Sequence, residues 1–196
     1  MKHWKAVQRI VGYLQSTLNY QLILSPTTDS INKDKFTLTG FVDADWSGDI
    51  DTHKSTTGYA FYLNSSLITW GSKGQSTVST SSAHAESIAL YHATCEMLWI
   101  RKFLISFGLY EETTLTPIFC DNEAVINLTK FNMITPRTKH FDTKMSFVRE
   151  QVEDLKLSVK QVSGTENIAD IFTKALGKLK FCIFRDKLGI TAARKC

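Results

Sequence analysis

Residues 36–49 read FTLTGFVDADWSGD. Phe36, Leu38, Gly40 and Val42 fall on one side of a two-residue period, with Thr37, Thr39, Phe41 and Asp43 on the other. That alternation predicts a strand ending at a carboxylate. Two more β-rich runs, Tyr59 to Leu63 and Leu67 to Gly71, are joined by the turn formers Asn64, Ser65 and Ser66 and predict a hairpin. Three antiparallel strands are therefore consecutive. Downstream, Ala89, Ala93, Met97, Ile100 and Leu104 share one stripe of a long helix, and Glu86 near its start faces inward on that stripe. Leu115 to Cys120 reads as a short apolar strand ended by Asp121 and followed by the helical pattern Ala124, Val125, Leu128. A helix at about 140–153, a strand at about 155–162 and a last helix capped by Thr165 and carrying Asp170 close the series. The order β-β-β-α-β-α-α-β-α, without internal repeat, predicts an α/β sheet flanked by helices.

Upstream of the first strand, Trp4, Val7, Ile10, Val11 and Leu14 recur at three- and four-residue steps, an N-terminal amphipathic helix that calls for an apolar surface to dock on. The polar run SPTTDS at 25–30 reads as a linker. The expected organisation is a helix and linker over 1–34, a main domain over 35–190 and a tail over 191–196. With 43% hydrophobic and 21% charged residues in 196, the composition is that of a folded domain and excludes a disordered or fibrous chain. A net charge of +4 is compatible with a polyanionic partner without establishing one. Cys95, Cys120, Cys182 and Cys196 form no CxxC pair and no leader precedes Trp4, so reduced thiols and an intracellular setting are expected. The sequons at Asn64 and Asn127 then carry no meaning, and no apolar stretch approaches the ~20 residues that span a bilayer.

Four acids stand at predicted strand ends or inward helix faces: Asp43, Glu86, Asp121 and Asp170. Each alone reads more readily as a solvated strand end or a helix cap than as a site residue. If a fold gathers them, like charges ~4 Å apart repel by roughly 4 kcal/mol at an effective dielectric of 20, and the cluster needs cations. Oxygen-only ligands favour Mg²⁺ or Mn²⁺ over Zn²⁺, and two such ions ~3.5–4 Å apart are a common device for phosphodiester cleavage.

The segments around these acids are more specific than the acids themselves. DADWSGD at 43–49, STTGYAF at 55–61, WGSKGQSTVSTSSAHAE at 70–86, CDN at 120–122, RTKHFD at 137–142, FVRE at 147–150 and ADIFTK at 169–174 occur in order. Together they resemble the ribonuclease H domain of copia-type LTR retrotransposon Pol polyproteins. HWKAVQRIVGYLQSTLNY at 3–20 resembles the segment where the reverse transcriptase of that family ends. The resemblance implies a ribonuclease H fold with a five-stranded mixed sheet, three strands antiparallel and then two parallel. It also implies metal-dependent hydrolysis of the RNA strand of an RNA–DNA hybrid during reverse transcription, with two Mg²⁺ ions that Mn²⁺ can replace. Asp43, Glu86, Asp121 and Asp170 would be the catalytic, metal-holding acids. The partners implied are the hybrid and the reverse transcriptase domain of the same polyprotein. The location implied is a cytoplasmic virus-like particle, or the nucleus for a domesticated copy, with no membrane involved.

Departures from that pattern are confined. The loop Ser163-Gly164-Thr165 lacks the mobile His that many ribonucleases H carry before the last helix, His84 stands where a further acid is common, and Ser87 where an aromatic is common. Asp45 and Asp49 lie in the same motif; Asp45, two residues from Asp43, reads either as an acid supporting the metal from behind its direct ligands or as a loop acid. A hybrid-cutting enzyme holds two backbones across a broad minor groove, which calls for basic and small polar groups. Lys73, Arg137, Lys139, His140 and Lys144 are the expected backbone contacts, and Ser82 and Asn122 the expected ribose contacts. His84-Ala85-Glu86 mimics half of a zinc-deaminase signature, but the Pro-Cys-x-x-Cys half is missing. The rival from another class is a domesticated or fragmentary module that keeps the fold and binds nucleic acid or protein without cutting. Its N-terminal helix would then need another cover, such as a second copy of the chain.

Overall fold

The computed structural model describes residues 2–24, 36–130 and 142–193. Its elements are α1 (Lys2–Ser16), β1 (Tyr20–Leu22), β2 (Leu38–Asp45), β3 (Thr56–Leu63), β4 (Ser66–Gly74), α2 (Ser82–Ser106), β5 (Thr116–Cys120), α3 (Glu123–Lys130), α4 (Asp142–Glu153), β6 (Leu157–Gln161), a 3₁₀-helix (Ile168–Phe172), α5 (Lys178–Lys187) and β7 (Ile190–Ala192). Five strands form one mixed sheet in the order β4-β3-β2-β5-β6. β2, β3 and β4 pair antiparallel, while β5 runs parallel to both β2 and β6.

The alternation in residues 38–45 assigns the two faces of the sheet. Leu38, Val42 and Ala44 join the larger core beneath α2, whose inward stripe Ala89, Ala93, Met97, Ile100 and Leu104 is buried against them. Phe41 turns to the other face and packs with Ala60, Tyr62, Ile168, Phe184 and Leu188 under the 3₁₀-helix and α5. The hairpin turns at Asn64, which takes a left-handed φ of 56°. Its side chain accepts from the Thr37 backbone N–H at 2.9 Å, and its own N–H donates to Thr37 O at 2.7 Å. α2 begins at Ser81, whose hydroxyl accepts from the His84 backbone N–H at 3.1 Å and satisfies one orphan donor of the first turn.

Three features differ from the sequence reading. Asp170 is not on the last helix: it sits in the 3₁₀-helix, and α5 starts afresh after Gly177. Thr165 does not cap, because its hydroxyl pairs with Ser163 Oγ at 2.8 Å, and Asn167 takes the role by accepting from Ala169 N at 3.2 Å. Tyr20–Leu22, within the expected helix and linker, and Ile190–Ala192, across the expected boundary of domain and tail, pair as an antiparallel ribbon. Three-residue strands are too short to leave a readable period. The apolar stripe of α1 is open: Trp4, Val7, Ile10, Val11 and Leu14 are between 47% and 65% exposed, with Tyr13 meeting Phe181 edge-on at 6.4 Å. Among the described residues no helix is long and apolar enough to cross a membrane.

Candidate active site

Each of the four acids is delivered by a different element. Asp43 projects from the central strand β2 and is fully buried, on the face covered by the 3₁₀-helix. Opposite it on β3 stands Gly58, where a Cβ would come within 2.6 Å of Thr173 and 3.0 Å of Ala169 O. Only a glycine lets the 3₁₀-helix approach the sheet this closely. Asn167 fixes that approach from the other side: fully buried, it donates through Nδ2 to Val42 O at 2.9 Å. Glu86 comes from the first turns of α2, Asp121 from the residue after β5, and Asp170 from the 3₁₀-helix.

Ligand oxygens of Asp43, Asp121 and Asp170 lie within 4.8 Å of one another, as do ligand atoms of Glu86, Cys120 and Asp121. Asp121 is thus common to both groups. Burial pushes the Glu86 carboxyl up to about 9, with the neighbouring charges of Asp43 and Asp121 adding to it. The Ala44 backbone N–H donates to this carboxylate, yet Glu86 Oε2 is buried with no hydrogen-bond partner. A buried carboxyl oxygen without a partner costs free energy, and a cation shared with Asp121 would satisfy it. Burial likewise raises Asp43 and Asp121, and it keeps the Cys120 thiol protonated. All-oxygen donors with a neutral thiol behind them suit a hard divalent cation.

The site also contains cations of its own. Lys174 Nζ lies 3.1 Å from Asp43 Oδ1 and 2.9 Å from Asp170 Oδ1, and Lys180 Nζ lies 2.5 Å from Asp170 Oδ2. The Thr173 hydroxyl donates to the other oxygen of Asp43. Burial alone would raise Asp170, but these two ammoniums hold it below the usual carboxylate range. The same acids outweigh burial at Lys174 and lift its ammonium well above the ordinary lysine range. ADIFTK carried Lys174 in plain sight, and its i+4 spacing from Asp170 was the available signal. Lys180 and Asn167 had none.

The remaining expected residues divide. Asp45 belongs to neither ligand group; its carboxylate folds back over the Gly48 turn. Asp49 closes a turn by accepting from Asp51 N and Thr52 N at 3.0 and 2.8 Å. Asn122 Oδ1 accepts from Val125 N at 3.2 Å at the head of α3, and Ser82 opens α2 four residues before Glu86. Lys73 lines a groove of about 650 Å³ at the sheet edge beside α2, with Tyr59, Gln75, His92 and Trp99, apart from the acids. Lys144, on α4, lies 5.6 Å over the Tyr91 ring. Arg137, Lys139 and His140 lie outside the described residues. Gln75, not singled out by sequence, links the sheet to α2: its Nε2 donates to Thr57 Oγ1 at 3.1 Å and Ala85 O at 2.9 Å, and its Oε1 accepts from Ser79 Oγ at 2.9 Å.

A five-stranded mixed sheet with acids on its central strand, on α2, after β5 and beside the last helix is the ribonuclease H fold. LC11-RNase H1, solved in complex with an RNA/DNA hybrid, matches 70% of this chain and 94% of its own with a TM-score of 0.51 at 14% identity. The chain is a homologue of the retrovirus-related Pol polyproteins of plant transposons. It is 38% identical over 189 residues to the Pol polyprotein from transposon TNT 1-94 of Nicotiana tabacum, and 35% over 191 residues to that from transposon RE1 of Arabidopsis thaliana. These alignments take in 96% and 97% of the chain but only 14% and 12% of the relatives' length. No protein-family profile matches it.

Proposed function

We propose that the chain is a metal-dependent endonuclease that hydrolyses the RNA strand of RNA–DNA hybrids during retrotransposon reverse transcription. The observation that carries this reading is the pair of ligand groups that meet at Asp121, with Asp43 and Asp170 on one side and Glu86, with an unpartnered buried oxygen, on the other. Asp43, Asp121 and Asp170 would hold one divalent ion, and Glu86 with Asp121 a second. Two Mg²⁺ ions, replaceable by Mn²⁺, would supply an activated water and charge stabilisation of the leaving oxygen there. Ser82, four residues before Glu86, and Asn122, next to Asp121, would be the ribose contacts, while Lys73, Arg137, Lys139 and His140 would hold the backbones, with Asp45 shaping the local charge. Residues 35–190 form the catalytic unit in this reading, with 1–34 as the connection to a reverse transcriptase domain of the same polyprotein and 191–196 as a tail. The bare stripe of α1 would seat that domain or, in an isolated chain, a second copy. The setting would be a cytoplasmic particle, or the nucleus for a domesticated copy.

The test is cleavage of a strand-labelled RNA–DNA hybrid in Mg²⁺, Mn²⁺ and Ca²⁺, beside an Asp121→Asn control and with double-stranded RNA and DNA as competitors. Loss of the RNA strand alone in Mg²⁺ or Mn²⁺, absent in the control, is the expected outcome. Ca²⁺, larger and less strict in geometry, should permit binding without turnover, and equal rates in Ca²⁺ and Mg²⁺ would sink the two-ion assignment. One observation favours a second reading, a module that binds hybrid without cutting: Lys174 and Lys180 already neutralise Asp43 and Asp170. Tight hybrid binding with no cleavage in any metal would select it.

A further inference from the structure

Lys174 bridges Asp43 and Asp170 from a point within hydrogen-bond distance of one oxygen of each, and those acids belong to the group whose ligand atoms lie within 4.8 Å of one another. A magnesium ion on the same oxygens would sit ~2.1 Å from each. An ammonium and a metal ion cannot both occupy so small a space between two carboxylates. The charges agree with the geometry, because two divalent ions already balance four carboxylates, and an added ammonium in their midst would be repelled.

The two lysines are held differently. Lys180 is anchored by Asp170 Oδ2, by Gly164 O at 3.1 Å and by the Phe184 ring at 5.0 Å, so it has reasons to stay apart from the acids' shared centre. Lys174 bonds the two carboxylates, with no further anchor among the described residues, and its side chain is 37% exposed, so its head can swing into water without backbone movement. Asp43 is prepared for the exchange as well: Thr173 holds one of its oxygens in place while Lys174 takes the other.

We propose that Lys174 is a built-in counter-ion that keeps the place of a divalent cation between Asp43 and Asp170 and is exchanged outward when the cation binds. This rests on the reading of the acid cluster as a metal site. Metal uptake is then a cation exchange, and its affinity is set partly by what Lys174 gives up.

Isothermal titration calorimetry of the full chain with MnCl₂ and MgCl₂, together with thermal melts, tests this. Lys174→Met keeps the side-chain length and removes the charge. It should bind Mn²⁺ at least tenfold more tightly than wild type, melt lower without metal, and gain more in melting temperature when metal is added. Lys174→Gln, less apolar and safer for folding, should shift the same way. Lys156→Met, which removes a surface pair with Asp154, should change none of these. Mn²⁺ affinity that is unchanged or weaker in both Lys174 variants would overturn the exchange while leaving the metal site standing. Absence of Mn²⁺ binding in wild type and variants alike would overturn the metal site, and the exchange with it.

Discussion

Glu86 holds its proton in the folded, metal-free protein up to about 9, against an ordinary value of 4.5. Between those values the folded state binds a proton that the unfolded chain has released. The contribution is therefore present below about 4.5 and is lost as pH rises towards about 9. Metal-free wild type should melt progressively lower from pH 5 to pH 9, and Glu86→Gln should show a flatter profile; parallel profiles would show that Glu86 does not titrate in this way. Asp43 and Asp121 part company at the same scale. From sequence, removing either charge should relieve repulsion. In the structure Asp121 is raised by burial, with Lys174 offsetting it only through its charge, so Asp121→Asn should leave the metal-free melting temperature unchanged or raised. Asp43→Asn instead strips Lys174 and Thr173 of a fully buried partner, and should lower it. Both variants should lose cleavage.

At the scale of elements, the site depends on how the 3₁₀-helix is pressed onto the sheet. Asn167 both caps that helix and donates to the central strand from a fully buried position. Asn167→Ala would leave Val42 O and Ala169 N without partners and should cost about 2–3 kcal/mol in urea unfolding. Gly58→Ala would drive a methyl into Thr173 and Ala169 O, lifting Asp170 away from Asp43, so Mn²⁺ affinity should fall along with stability. If stability falls while calorimetry reads an unaltered Mn²⁺ affinity, the acids do not depend on this contact. Sequence periodicity placed β2, the hairpin, α2 and β5 well because each runs long enough to show a two- or four-residue repeat. It misplaced the cap at Thr165 because a hydroxyl near a helix start is also satisfied by its neighbour, here Ser163.

Across the whole molecule, the β1–β7 ribbon joins chain regions more than 160 residues apart and carries α1 to a position where its apolar stripe stays open. An exposed stripe of this kind favours association. Sedimentation of the isolated chain should show a concentration-dependent dimer that Ile10→Glu with Leu14→Glu abolishes; a monomer at every concentration would leave the stripe to some other partner. Taken alone, the amino-acid order determined the α/β class and the antiparallel start of the sheet and singled out four candidate acids, because these are carried by local period and by contiguous motifs. The gathering of those acids, the unpartnered oxygen of Glu86, the lysines seated among them and the closing ribbon were decided by tertiary structure. Each joins residues far apart in the chain, and local sequence carries no record of a distance that only the packed sheet creates.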